Sequence, residues 1–251
     1  MKISHYLRHL AQDKDSRLFD ANCQQFFAQL AGVFGPLESQ ETIQEIVLSQ
    51  PGSQADYSLR LDKSNRDTTL VLLRQAELVR SSAAWKSLVD LCALWCNEQS
   101  EFSGKVSNVW IEMDYDSFRQ GRLEPCVFFD SSQVRPQEEH GWIDPALAIL
   151  LGEEQRAALR PRLDFCIDAL AGRNRQLFQL GVMLGRQATA VRLFTSDMTR
   201  EQLLSYLVEL NWPGDLAGLT ARLELLDPFV RRFLLDFDVT PTGISEKIGI
   251  N

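Results

Sequence analysis

The chain has 251 residues, 45% of them apolar and 24% charged, which is the composition of a globular protein long enough to bury a sizeable core. Lys and Arg number 26 against 34 Asp and Glu, so the formal charge is −8, and no basic stripe offsets it; nucleic acid and anionic membrane surfaces are therefore not expected partners. No apolar run approaches the ~20 residues needed to cross a bilayer, and no apolar signal core follows the first basic residues, so the expected location is cytoplasmic. The five cysteines (Cys23, Cys92, Cys96, Cys126 and Cys166) are odd in number and mostly set in apolar segments, the pattern of buried free thiols.

In chain order, the first fifteen residues are polar and mixed in charge. From residue 16, Phe19, Cys23, Phe26, Phe27 and Leu30 recur at spacings of three and four and predict a helix, with Gly32, Gly35 and Pro36 at its end. Ile43, Ile46 and Val47 predict a second helix over 39–48, broken by Pro51-Gly52. A first hairpin is expected to join the alternating run 56–61 to the β-branched run 68–73 across a polar turn at 63–67. Ser82 is placed to cap a helix over 82–96, whose stripe is Trp85, Leu88, Val89, Cys92, Trp95 and Cys96. A second hairpin pairs 109–115 with 125–129. Asp144-Pro145 then reads as a helix start with Asp at the N-cap, and breaks are expected at Gly152 and Pro161 before the helix ends at Gly172. A third hairpin joins 177–184 to 189–194. Asp197 or Thr199 caps the next helix, Asp215 caps another, and a fourth hairpin spans 229–251.

Hairpins alternating with helices define an α+β protein. Repeated α-ββ-α units form a mainly antiparallel sheet of four predicted hairpins, curved or closed into a barrel, with helices covering one side. The chain is expected to be a single domain over 1–251, divisible into two pseudo-repeats of about 52–130 and 173–251 behind N-terminal helices at 16–49. The internal duplication rests on Trp110-Ile111-Glu112-Met113-Asp114 lining up with Leu234-Leu235-Asp236-Phe237-Asp238. In each, two carboxylates two residues apart share one side of a strand.

The serial order of helices and hairpins resembles the αββα-repeat (ABBA) barrel of the aromatic and peptide prenyltransferases. That family has five hairpins and a Lys-x-Tyr pattern on its second strands; here four hairpins are read, and the nearest sequences are Arg192-Leu193-Phe194 and Lys247-Ile248-Gly249. The resemblance implies a barrel whose strand-borne basic residues hold a prenyl diphosphate. Arg60, Arg186, Arg192 and Lys247 are the candidates for that anion. Trp110, Tyr115, Phe129 and Phe194 are the candidate aromatic walls that would shield an allylic cation.

The carboxylate pairs Glu112/Asp114 and Asp236/Asp238 are the most distinctive polar feature. They suit binding of a divalent ion such as Mg²⁺, recognition of a cationic substrate, or general-base catalysis by a carboxyl raised through burial; the plain alternative is the watered side of an antiparallel sheet. The arginines are equally readable as solvated charges near turns. His5 and His9 have the spacing of two ligands on a helix but no third ligand nearby, and Cys92 and Cys96 share that spacing in an apolar helix, so no metal site is assigned. No phosphate-binding Gly-rich loop and no nucleophile elbow is present. Three functions follow as expectations: a non-catalytic or accessory binding protein for a small molecule or peptide, a prenyltransferase-like enzyme, or a homo-oligomeric structural or partner-docking protein.

Overall fold

The computed structural model describes residues 21–34, 42–47, 54–80, 82–113, 124–132, 134–135, 140–184 and 190–251, with the side chains of 21–27, 42–47, 54–57 and 78 left aside. The chain forms two compact units, the first made of residues 1–129 and 183–188 and the second of 130–182 and 189–251.

In the first unit, α1 (Ala21–Phe34) leads into strands β1 (Thr42–Val47) and β2 (Gln54–Asp62), then helices α2 (Arg66–Gln75), α3 (Ala83–Cys96) and α4 (Glu101–Lys105), then β3 (Asn108–Met113) and β4 (Cys126–Asp130). The strands pair as an antiparallel meander, β1 with β2, β2 with β3 and β3 with β4. Alternation puts Leu59, Leu61, Val109, Ile111, Met113, Val127 and Phe129 on one buried side. The helices cover that side: Phe102 of α4 meets the Phe129 ring edge-on at 5.1 Å, and the buried indole of Trp95 donates to the Val106 carbonyl at 3.0 Å. Ser82 caps α3 as expected, its hydroxyl accepting from the Trp85 amide.

Two expectations fail here. The helix expected over 39–48 is strand β1. Four of its residues, Thr42, Ile43, Ile46 and Val47, are β-branched, and every backbone position from Thr42 to Val47 has a partner on β2. The strand expected over 68–73 is helix α2, so the first hairpin is β1–β2. Tertiary contacts override the β-branched local sequence: Arg66, Thr69 and Leu73 share a helix face and are buried. The Arg66 guanidinium donates to the Ser103 hydroxyl and to Glu98, both at 2.8 Å, contacts that a strand at 68–73 would not bring together.

The second unit contains α5 (Asp144–Leu151), α6 (Glu153–Ala171), β5 (Leu177–Val182), β6 (Val191–Thr195), α7 (Arg200–Glu209), α8 (Leu216–Leu226), β7 (Leu235–Thr240) and β8 (Gly243–Ile250). Its strands also pair in order as an antiparallel meander, β5 with β6, β6 with β7 and β7 with β8. The second, third and fourth hairpins are thus present. The ladder does not close within either unit: among the described residues β1 and β4 do not pair, nor do β5 and β8. Leu180, Val182, Val191, Leu193, Leu235, Phe237 and Val239 form the buried side. Tyr206 of α7 lies 6.0 Å from the Phe237 ring and donates to the Cys166 carbonyl of α6, so one side chain ties both helices to the strands.

Asp144 does not cap α5. It is the first helical residue, and its carboxylate instead accepts from Arg160 at 2.7 Å, linking α5 to α6. Gly152, at φ +83°, separates the two helices as expected. Pro161 does not interrupt α6. It lies on the exposed side, where the ring costs one hydrogen bond, and the flanking Arg160–Asp164 pair at 2.8 Å spans that turn. Thr199 starts α7 with a reciprocal capping box to Gln202. Replacing Thr199 by Ala should therefore lower unfolding free energy by about 1 kcal/mol, and Thr199→Ser by less, as read from urea denaturation midpoints at constant slope.

Candidate functional site

With helices on one side of each meander, the residues of opposite parity form a second, polar side. In the first unit this side carries Ser58 and Arg60 from β2, Trp110 and Glu112 from β3, and Phe128 from β4. Arg60 stands over the Trp110 ring at 5.9 Å and pairs with Asp62 at 3.1 Å, while Ser58 donates to Glu112 at 3.3 Å. Phe129 belongs to the opposite, helix-covered side, so it lines no site with Trp110; its neighbour Phe128 does. Asp114, Tyr115 and Arg186 lie outside the described residues, as do His5 and His9.

In the second unit the polar side carries Gln179 and Gly181 from β5, Arg192 and Phe194 from β6, Asp236 and Asp238 from β7, and Gly249 from β8. Register places Arg192 directly across from Asp238 and Phe194 across from Asp236. The Arg192 fork grips Asp238 with two bonds, Nε to Oδ1 at 2.7 Å and Nη2 to Oδ2 at 3.1 Å, and the Asp238 backbone amide donates to the Ser245 hydroxyl. This is the bidentate arrangement in which guanidinium and carboxylate satisfy one another best.

Asp236 is held more loosely. Its Oδ1 is 4.0 Å from Arg192 Nε, and its Oδ2 accepts from the Asn251 side chain at 3.2 Å. Its side chain is only 14% exposed, against 29% for Asp238. Burial raises its pKa above the ordinary Asp value, with the Asp238 charge adding to the rise, while Arg192, Asn251 and Lys247 oppose it. Across the ladder from Asp236 is Gly249, and a β-carbon there would collide with the Asp236 carboxylate, which folds over the bare glycine backbone. Lys247 is exposed on β8. Asp236, Asp238, Arg192, Lys247 and Phe194 are thus brought together, and Arg60, Trp110 and Glu112 form their own cluster in the first unit. Reading the strands in isolation missed Asn251 and Gly249; the signal for Gly249 was a glycine at an alternating strand position next to Lys247.

Among the described residues no group of three His, Cys, Asp or Glu side chains stands close enough to hold a metal ion. Burial pushes the Cys166 thiol up to about 12 and Cys92 higher still, and burial with the neighbouring Asp67 pushes the half-buried Cys96 up to about 11, which favours the protonated thiol at all three. No helix among the described residues is long and apolar enough to cross a membrane. The sequence matches no model of a known protein family and no characterised protein.

A carboxyl raised in the folded state stabilises the fold when protonated, and that contribution is lost as pH rises through the folded value. Unfolding free energy should therefore fall as pH climbs from the ordinary Asp range through the raised Asp236 value. Asp236→Asn should flatten that segment of the profile, while Asp238→Asn, which removes a charge that adds to the rise and frees Arg192, should reduce the slope in part and lower stability throughout. Thermal melts of the three proteins across pH 3.5 to 8 measure this.

Proposed function

We propose that the protein is a soluble, non-catalytic binding protein that recognises a cationic hydrogen-bond donor on a small molecule or peptide. The observation that carries this is the division of labour between the two aspartates. Asp238 takes both forks of Arg192, so the guanidinium is neutralised where a diphosphate would need its charge. Asp236, sheltered and held by one amide, a distant Arg192 and the charge of the exposed Lys247, has lone pairs left for a ligand ammonium or guanidinium. Arriving there, such a cation would favour the ionised carboxylate that burial disfavours. Phe194, directly across from Asp236, offers apolar surface beside it.

On this reading the two pseudo-repeats, expected at about 52–130 and 173–251, descend from one duplicated module of two hairpins joined by helices, the first of them beginning at β1 rather than at residue 52. Support comes from their equal strand order and from an Arg on the second strand and an acid on the third of each, Arg60 with Glu112 and Arg192 with Asp236 and Asp238. The prenyltransferase-like reading draws support from one feature, Trp110 beside Arg60 on the polar side of the first unit, with the buried Phe128 across from Trp110 on the next strand.

Calorimetric titration with agmatine, which carries an ammonium and a guanidinium, separates the two readings. Saturable binding at low salt that weakens at least about tenfold in Asp236→Asn is the expected result. Stabilisation by geranyl diphosphate with Mg²⁺, abolished in Arg192→Ala or Arg60→Ala, would overturn it in favour of the transferase.

A further inference from the structure

Strand β8 ends the meander of the second unit, and among the described residues it pairs with β7 alone. Which of its backbone groups face outward follows from the ladder. Leu234 and Asn251 exchange both bonds, amide to carbonyl at 2.8 and 3.0 Å. Antiparallel alternation then makes Asp236 and Gly249 the next bonded pair and leaves Ile250, across from Leu235, and Ile248, across from Phe237, with N–H and C=O directed away from β7. The outer edge at 248–250 is a template for one more strand.

Two features select what can occupy it. Midway along β8, the Trp212 indole donates to the Glu246 carbonyl at 2.9 Å. A second copy pairing two-fold about Ile248 would set residue 246 against residue 250 and compete with Trp212 for that carbonyl, and one pairing about Gly249 would turn the two Asp236 carboxylates toward each other across bare glycines, so both registers are opposed while a segment pairing over 248–251 is not. Beside the edge, Gly249 leaves the polar side of β8 bare, and the Asp236 carboxylate folds over it toward that edge. A residue on an added strand opposite Gly249 would therefore meet Asp236 across the glycine, where β8 interposes no side chain. The half-exposed Ile248 and Ile250 offer apolar surface on the other side to the residues flanking it. The net charge of −8 favours approach of a basic segment.

We propose that the β8 edge takes an extended segment of another protein as an added strand, with a lysine or arginine opposite Gly249 paired to Asp236 and β-branched residues on either side of it over Ile248 and Ile250. This rests on the reading of Asp236 as a receptor for cations and names the ligand class. The main chain would supply affinity and the single basic side chain the selectivity.

The test uses the full chain and three fluorescein-labelled heptapeptides measured by anisotropy: Val-Thr-Val-Lys-Val-Thr-Val, the same with Glu for Lys, and the Lys peptide N-methylated at alternate residues on its hydrogen-bonding edge. The Lys peptide should bind at least about tenfold more tightly than the Glu peptide, a difference lost in Asp236→Asn and in Gly249→Val, and N-methylation should abolish binding. Circular dichroism melts establish that each variant is folded. Equal binding of the Lys and Glu peptides, or binding indifferent to N-methylation, overturns the proposal. So does a concentration-dependent dimer in sedimentation velocity that Lys247→Glu dissociates, which would assign the edge to a second copy. If agmatine binds and no peptide does, the cation reading stands and the added strand falls; if neither binds, both fall.

Discussion

Each strand has two sides, and each unit buries one of them beneath helices. That constraint decides the rest of the structure. Leu59, Ile111 and Phe129 in one unit, and Leu193, Leu235 and Phe237 in the other, are committed to the helix-covered side. The pleat then leaves no choice about where their neighbours go. Arg60, Trp110 and Glu112, or Arg192, Asp236 and Asp238, reach the opposite side because they alternate with core residues. A one-residue slip would bury every one of these charges, which is why the polar sides are as strictly registered as the cores.

Charge placement on the second polar side follows from that registration. The bidentate Arg192–Asp238 pair costs desolvation on both partners and offsets it through two hydrogen bonds, one of them short. Asp236 cannot share the arrangement, because one planar guanidinium presents one fork to its direct cross-strand neighbour. The second aspartate is left sheltered, weakly held and raised in pKa. Two carboxylates of identical chemistry, two residues apart, acquire different properties from the register of a neighbouring strand.

The second, third and fourth hairpins were legible in the sequence because period-two alternation was interrupted by turn residues, as in Thr240-Pro241-Thr242-Gly243. Caps were legible where the side chain acts locally, as with Ser82, Thr199 and Asp215. What misled was β-branched sequence whose fate is settled from a distance. Thr68, Thr69 and Val71 favour a strand, yet the buried Arg66 network with Ser103 and Glu98 fixes a helix; Ile43, Ile46 and Val47 fit a helix face as well as a strand, and pairing with β2 decides. At the site, Asp236, Asp238 and Arg192 were visible as residue types. Their unequal pairing was not, since it depends on which strand position falls opposite which. Phe129 and Phe128 show the same limit: in the continuous apolar run Cys126–Phe129 nothing local says which ring faces the helices.

Gly249 has an implication for how the sequence can drift. Any side chain at that position displaces the Asp236 carboxylate, a flexible group able to swing away at modest energetic expense. Substitution there would reorient the charge long before it unfolded the strand. Across related chains, residues 236 and 249 should therefore change as a couple, with an acid at one kept company by glycine at the other, even where the surrounding core is freely rewritten.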